Sequence, residues 1–451
     1  MVFINRDTEI KQLEKMASSG QKEMLVLYGR RRLGKTTLLR EFARKHPALF
    51  FSCPLSTSSE ALRLFQDRMA VAFDEPLLGQ TLFPGWSEAM RYALEEASKR
   101  RIAIIFDEFP YLMRSVAGID SVIQHIWDKM DRAIWIGLSG SLISMMLERV
   151  MGSKAPLYGR RTEMLQLKPM PFAEVSLFYP KSSYYDQALW YGFLGGVPAY
   201  AEKAASFATP KKTIIELVLS ENGVLYQEPD FLVREELREP GTYFSILRSL
   251  AAGLTRPNEI AQDAGVAHSG VNKYLDTLRR MQLIERRVPI TEKHPERSTK
   301  AIYVLADHFL RFWFRYVFPN RSIIELGKGR ELYGSKIKPD LNNYMGPVYE
   351  EMCHQEILRL GPKVLGWEPF KLGRYWDPQS EIDLIAEDED RKRVAFIECK
   401  WSRRIHMERT LNILRKKADR ISYYAGWHKH YYVMSRTITK HPHHILLGMG
   451  S

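Results

Sequence analysis

Residues 29–37 read Gly-Arg-Arg-Arg-Leu-Gly-Lys-Thr-Thr and satisfy the spacing G-x-x-x-x-G-K-[ST], with Gly29, Gly34, Lys35 and Thr36 in the fixed places. Glu23–Tyr28 before them reads as a buried strand, and Thr37–Lys45 after them repeats its apolar residues at helical spacing. Strand, glycine loop and helix in this order describe an α/β core built to hold phosphate. The backbone from Gly29 through Arg30, Arg31, Arg32 and Leu33 to Gly34 can turn its N–H groups inward, and the helix start at Lys35, Thr36 and Thr37 adds its positive dipole end. Lys35 is expected to reach the β- and γ-phosphates of ATP, and the Thr36 hydroxyl to ligate Mg²⁺. The alternative, a chance glycine turn, requires both flanks to be coincidental.

A second anchor is Arg101-Ile-Ala-Ile-Ile-Phe-Asp-Glu-Phe-Pro110, five apolar residues in a row ending in two acids. This is the pattern of a central parallel strand with carboxylates at its C-terminal edge. Asp107 is placed to hold the Mg²⁺ shell as a Walker-B aspartate does, and Glu108 to polarise the attacking water as general base. A third strand, Ala133–Leu138, ends in Ser139-Gly140-Ser141. Ser139 is either a contact to the γ-phosphate or water, or the N-cap of a helix over Leu142–Val150. Tyr158-Gly-Arg-Arg161 places Arg160 after a glycine turn. It is either an arginine offered to a neighbouring copy's γ-phosphate, which entails self-association through the ATPase domain, or an ion-pair partner.

The phosphate loop, the Asp107-Glu108 strand end, Gly140-Ser141, Gly159-Arg160 and Gly195-Gly-Val-Pro198 succeed one another in an order that resembles the archaeal-type ATPases, a branch of the AAA+/STAND group of P-loop NTPases. The resemblance implies a P-loop NTPase parallel sheet over residues 1–180 and a helical lid over 181–238, centred on Gln187–Leu219. From the residues alone Gly195–Pro198 is a turn.

The chain is 451 residues long, enough for two to four domains, and carries a formal charge of +13 that is unevenly spread. Residues 240–325 hold 13 Lys+Arg against 8 Asp+Glu, and residues 336–451 hold 20 against 15. The excess in the second half favours a polyanionic partner, DNA first among them. Cys53, Cys353 and Cys399 are scattered and suit reduced thiols. With no apolar run of spanning length and no signal-peptide pattern at the start, the expected setting is the cytoplasm and no membrane.

After Glu239-Pro240-Gly241 the pattern changes. Helices are expected over Tyr243–Ala252, Arg256–Ala264 and Ser269–Met281, then two strands, Leu283–Pro289 and Lys300–Leu305, around a polar loop. With the tight turn at Gly265 the unit over 239–325 resembles a winged helix-turn-helix. Its third helix would expose Ser269, Asn272, Lys273, Asp276 and Arg279, to phosphates and a base edge or to protein. His308–Tyr316 reads as a buried aromatic helix rather than a base-stacking platform. Leu326–Lys336 reads as a linker.

The last segment, 336–451, offers a second site. Ser380–Ala386 and Arg393–Trp401 read as strands joined by an acidic turn, which brings Asp383 beside Glu398. Glu398 and Lys400, two apart, share a face. Two carboxylates with a lysine suit Mg²⁺ and attack of water on a phosphodiester. Met345-Gly-Pro-Val-Tyr-Glu350 opens a helix upstream. Glu350, Asp383, Glu398 and Lys400 together resemble the PD-(D/E)xK restriction-endonuclease-like superfamily, with Ile382 in place of its leading proline. The resemblance implies an α/β nuclease-like domain with these four residues catalytic and Asp383 and Glu398 as metal ligands. A hairpin of solvated charges, or a nuclease fold that no longer cuts, stays open. His441, His443 and His444 are read as tail rather than metal ligands. The chain as a whole then reads as an ATP-regulated DNA-processing or defence protein; the alternative is a nucleotide-switched DNA- or protein-binding regulator with an inactive nuclease-like domain.

Overall fold

The structure is a computed structural model that describes residues 3–80, 82–237, 239–402 and 405–436, together with the backbone of 444–446. His441 and His443 lie outside the described residues. The chain divides into two compact units, Met1–Pro169 and Met170–Ser451.

The first unit is a five-stranded sheet, every strand pairing parallel, with β1 (Lys22–Tyr28), β2 (Ala48–Ser52), β3 (Ala103–Asp107), β4 (Ile134–Gly140) and β5 (Glu163–Gln166) in the order β2-β3-β4-β1-β5. Strands β3 and β4 are buried along their whole length. That is why each reads as a continuous apolar run rather than an alternating one. The helix Lys35–Lys45 comes after β1 and buries Leu38, Leu39 and Phe42 against this sheet layer. Because the strands are parallel, all the turns at their carboxyl ends open on one edge. The phosphate loop after β1, the acids after β3 and the Ser-Gly-Ser after β4 therefore meet there.

The second unit opens with a short helix, Phe172–Val175, followed by the helices Tyr184–Leu194, Pro198–Ala204, Pro210–Leu217 and Glu228–Glu236. The expected turn at Gly195–Pro198 is present: Gly195 has φ 69°, and a Cβ on Gly196 would sit 2.1 Å from the Met170 carbonyl oxygen. Three helices come next, Pro240–Ala251, Pro257–Ala264 and Val271–Arg280, then an antiparallel pair, β6 (Ile284–Arg287) and β7 (Ile302–Leu305). The aromatic run forms a helix, His308–Phe312, that widens through Trp313–Val317 and is buried throughout except at its arginines. Trp313 is fully enclosed, its indole N–H donating to the Tyr226 carbonyl at 2.7 Å. Rings this deep stack on one another, not on bases.

The structure corrects two expectations. Residues 326–336 are not a linker: Gly329–Leu332 and Tyr333–Ile337 are helical and run on into the helix Lys338–Leu365. Leu332, Tyr333 and Ile337 are buried there, a hydrophobic gain that a glycine- and lysine-bearing stretch conceals. The loop between β6 and β7 is not polar throughout either. Ile290 is buried in the core of the C-terminal sheet with Ile382, Ile385 and Phe396, and its N–H donates to the Arg374 carbonyl at 2.8 Å.

That sheet comprises β8 (Lys371–Trp376), β9 (Glu381–Asp388), β10 (Arg393–Lys400), β11 (His428–Ser435) and β12 (His444–Leu446), in the order β12-β11-β10-β9-β8. Strands β8, β9 and β10 pair antiparallel; β10, β11 and β12 pair parallel. Among the described residues no helix is long and apolar enough to cross a membrane. Truncating the most enclosed ring tests the helical packing of the second unit. Trp313→Ala should lower unfolding free energy by about 3–5 kcal/mol in a denaturant titration, since it leaves a large cavity and an unpaired Tyr226 carbonyl.

Candidate functional site

At the carboxyl edge of the parallel sheet, the glycine loop is shaped by positive φ at Gly29 (152°), Arg32 (66°) and Gly34 (91°). A Cβ on Gly29 would lie 2.5 Å from the Leu167 carbonyl oxygen, so this position excludes any side chain. Gly34 stands immediately before the helix, and Lys35 and Thr36 form its first turn. The Lys35 ammonium is buried and donates to the Gly29 and Arg30 carbonyls at 2.8 and 3.0 Å, binding the loop to its own helix. Arg31 reaches the Tyr111 hydroxyl on the helix Phe109–Ser115.

Asp107, at the end of β3, accepts from the Thr36 hydroxyl at 2.8 Å. Burial raises its carboxyl pKa, while the Thr36 and Ser139 hydroxyls pull the other way. Its second oxygen, Oδ1, and the Ser139 hydroxyl are both buried without a hydrogen bond of ordinary length among the described residues. A buried carboxylate oxygen with no partner, beside a threonine hydroxyl at a helix N-terminus, is the donor set that fits Mg²⁺ and its water. Glu108 comes next with φ 56° and ψ 45°, in the left-handed region that costs a non-glycine residue about 1 kcal/mol or more. This turn swings its carboxylate to Ser141, whose N–H and hydroxyl donate to it at 3.0 and 2.8 Å.

Ser139 therefore faces Asp107, and the short helix beyond it starts at Ile143 with Leu142 as its cap residue. Ser141 is the residue that sequence reasoning passed over. The signal was present, since positions 139 and 141 share one face of an extended strand. Arg160 is engaged elsewhere: its guanidinium clasps Asp128 through two bonds at 3.1 and 2.9 Å and donates to the Pro156 and Tyr158 carbonyls. Its observed contacts are those of the ion-pair reading.

In the second unit, the β9–β10 register places Asp383 opposite Glu398 by continuing one step beyond the pair Leu384–Ile397. There the ladder ends because the Asp383 carboxylate itself accepts the Cys399 N–H at 2.7 Å. Lys400 donates to Glu398 at 2.6 Å, and Lys417 lies 3.4 Å from its other oxygen. Burial, then the charges of Glu398 and Glu350, push the Asp383 carboxyl up to about 7. Burial depresses Lys400, but its bond to Glu398 and the negative charges of Glu398 and Asp383 together outweigh that and raise it. The four sequence-chosen residues thus share one neighbourhood, yet Glu350, on the helix Lys338–Leu365, is ion-paired with Arg374 of β8. Among the described residues no three His, Cys, Asp or Glu side chains close into a metal-holding group. Two adjoining carboxylates, with the Glu398 charge raising the Asp383 pKa, still fit Mg²⁺, which keeps most of its waters and needs only one or two protein carboxylates. Arg374 and Lys417 were not foreseen; nothing in their spacing marks them.

On the helix Val271–Arg280, Asn272, Lys273 and Arg279 are exposed, as is Ser269 just before it, while Leu275 and Leu278 are buried. Asp276 is half-buried and pairs with Arg279 at 3.3 Å.

A parallel sheet with its phosphate loop after one strand and paired acids after another defines a P-loop ATPase core. The chain belongs to the archaeal-type ATPase family. A family model described as an ATPase domain predominantly from Archaea matches residues 3–204, and one described as archaeal and bacterial proteins of unknown function matches residues 313–418. An uncharacterized protein of Methanocaldococcus jannaschii is 34% identical over 406 residues, covering 89% of this chain and 88% of its own. An uncharacterized ATP-binding protein of the same organism is 40% identical over 42 residues, 9% of this chain and 71% of its own. Among solved structures, the Walker-type ATPase of Pyrococcus abyssi shares the fold with a TM-score of 0.54 at 19% identity, covering 69% of this chain and 96% of its own. The loop geometry yields a direct expectation. Gly29→Ala should weaken binding of a fluorescent ATP analogue by about tenfold or more in an anisotropy titration, because its Cβ must displace the loop.

Proposed function

We propose that this protein is an ATP-hydrolysing switch whose second unit binds DNA and cleaves it. In the ATPase core, Lys35 and the N–H groups of the glycine loop bind and orient the phosphates. Thr36 and Asp107 are the residues that would hold Mg²⁺, which supplies charge neutralisation on the phosphates when bound. Glu108 takes the proton of the attacking water, and the two Ser141 bonds fix its carboxylate for that role. Ser139 tunes Asp107. In this reading residues 1–180 are the ATPase core, 181–238 the lid, 239–325 the winged helix and 336–451 the nuclease-like domain.

The DNA reading rests on one observation above the rest: Asp383, Glu398 and Lys400 crowd together across β9 and β10 in a half-buried corner. In this reading Asp383 and Glu398 would hold a divalent cation that activates water, and Lys400 offsets the charge developing on the phosphate. The exposed Ser269, Asn272, Lys273 and Arg279 present the donors a duplex backbone accepts. A second reading is favoured by the lack of a closed three-ligand group among the described residues. There the same corner is structural, and the protein is a nucleotide-switched regulator that cuts nothing.

Three measurements separate these outcomes. Lys35→Ala should abolish ATP binding, whereas Glu108→Gln should retain binding and lose at least about 100-fold in kcat, as expected when a general base is removed. Unchanged turnover in the glutamine variant removes Glu108 from the mechanism. Supercoiled plasmid incubated with Mg²⁺ or Mn²⁺ should be nicked by the wild type and not by an Asp383→Ala/Lys400→Ala variant; equal nicking by both refutes the nuclease assignment. Duplex affinity should fall with salt, log Kd rising linearly with log salt concentration; a flat plot points to a protein partner.

A further inference from the structure

Strand β8 carries an irregularity that neither the ATPase chemistry nor the acid corner uses. Its register against β9 shifts between Gly373 and Tyr375, which leaves Arg374 at a β-bulge. Bulges beside sites re-aim a side chain, and this one turns the Arg374 guanidinium onto Glu350. The pair is largely enclosed, with Arg374 12% and Glu350 22% exposed. The backbone of Arg374 is fixed from behind. Its carbonyl, freed from the ladder, accepts the Ile290 N–H at 2.8 Å, and the Lys371 ammonium, three residues earlier, holds the Ile290 carbonyl. Ile290 is anchored among Ile382, Ile385 and Phe396, and a Cβ on Gly373 would come within 3.1 Å of it. Arg287, the last residue of β6, approaches Glu351, next to Glu350, at 3.5 Å.

Glu350 is near enough for its charge to raise the Asp383 carboxyl, yet one oxygen of its carboxylate is held by a cation the chain itself supplies. We propose that Arg374 is a positioning residue that withholds Glu350 from the divalent cation, so that the corner binds its metal with two carboxylates while the Arg374–Glu350 pair is closed and with three when it opens. The physical basis is competition: a guanidinium that holds one Glu350 oxygen offsets that carboxylate's charge and fixes its direction, both at the expense of a hard dication, and divalent affinity rises with the number of anionic ligands. The loop carrying Ile290 sets the pair's geometry. The inference rests on the metal-binding reading of Asp383 and Glu398.

Mn²⁺ binding to the full chain, measured by calorimetry and by the paramagnetic resonance signal of free Mn²⁺, tests it without reference to cleavage. Arg374→Met should bind Mn²⁺ about tenfold more tightly than the wild type, and Arg374→Met/Glu350→Gln should return to the wild-type affinity. Arg374→Lys, which keeps the charge, should stay near the wild type. In chelator, Arg374→Met should melt below the wild type, and Mn²⁺ should raise its melting temperature by more than it raises that of the wild type. Should Arg374→Met fail to fold, Glu350→Gln alone decides: with Glu350 already withheld, Mn²⁺ affinity should change less than about twofold. A loss of tenfold or more in that single variant, or an Arg374→Met protein that folds and binds no more tightly, overturns the proposal alone. Wild-type Mn²⁺ binding that does not depend on Asp383 overturns the metal-site reading and the proposal with it.

Discussion

The hydrogen bond from Thr36 to Asp107 is the contact on which the ATPase unit is built. It joins the first turn of the helix after β1 to the last residue of β3, two strands that do not pair directly because β4 lies between them. The bond can form only if all three strands run parallel and in register, so that their turns open on one edge. The rest of that edge is set by the same requirement. The glycine loop must fold over the helix start, Glu108 must leave β3 through a left-handed turn, and the residues after β4 must come within reach of that glutamate. A buried aspartate is costly unless satisfied. Here one oxygen is satisfied by threonine, and the other is buried without a hydrogen bond of ordinary length among the described residues.

The second unit solves a different problem with similar means. Its helices bury an aromatic cluster around Trp313, and its mixed sheet places acids at the end of a strand pair. In both units an aspartate carboxylate accepts a hydrogen bond from beyond its own strand. Asp383 does so by taking the Cys399 N–H with its side chain, where the backbone ladder gives out. The strand β8 bulge and the buried Ile290 join the helix–strand unit upstream to the sheet that holds these acids.

Much of this was legible in the sequence, for a physical reason. Backbone-determined features leave compact traces: the glycine spacing of the loop, the apolar run into Asp107-Glu108, and the i, i+2 placing of Glu398 and Lys400 each arise from local geometry. What was missed depends on tertiary contact. The partner of Ser141 could not be read from spacing, because its bonds to Glu108 depend on the left-handed turn after β3. Arg374 is indistinguishable from any strand arginine until the bulge turns it onto Glu350. Residues 326–336 looked like a linker since their apolar positions are few, yet Leu332 and Tyr333 among them are buried. Arg160 shows the converse: a motif position whose side chain is held by Asp128 in an ordinary, partly exposed ion pair.

We propose that Asp107 and Thr36 form a magnesium-dependent triphosphate site. It is tested most directly by the affinity of a non-hydrolysable ATP analogue with and without Mg²⁺, in the wild type and in Asp107→Asn. The account predicts that Mg²⁺ tightens binding to the wild type by about tenfold or more, and that Asp107→Asn loses nearly all of this gain while still binding the analogue. An equal gain from Mg²⁺ in both proteins contradicts it.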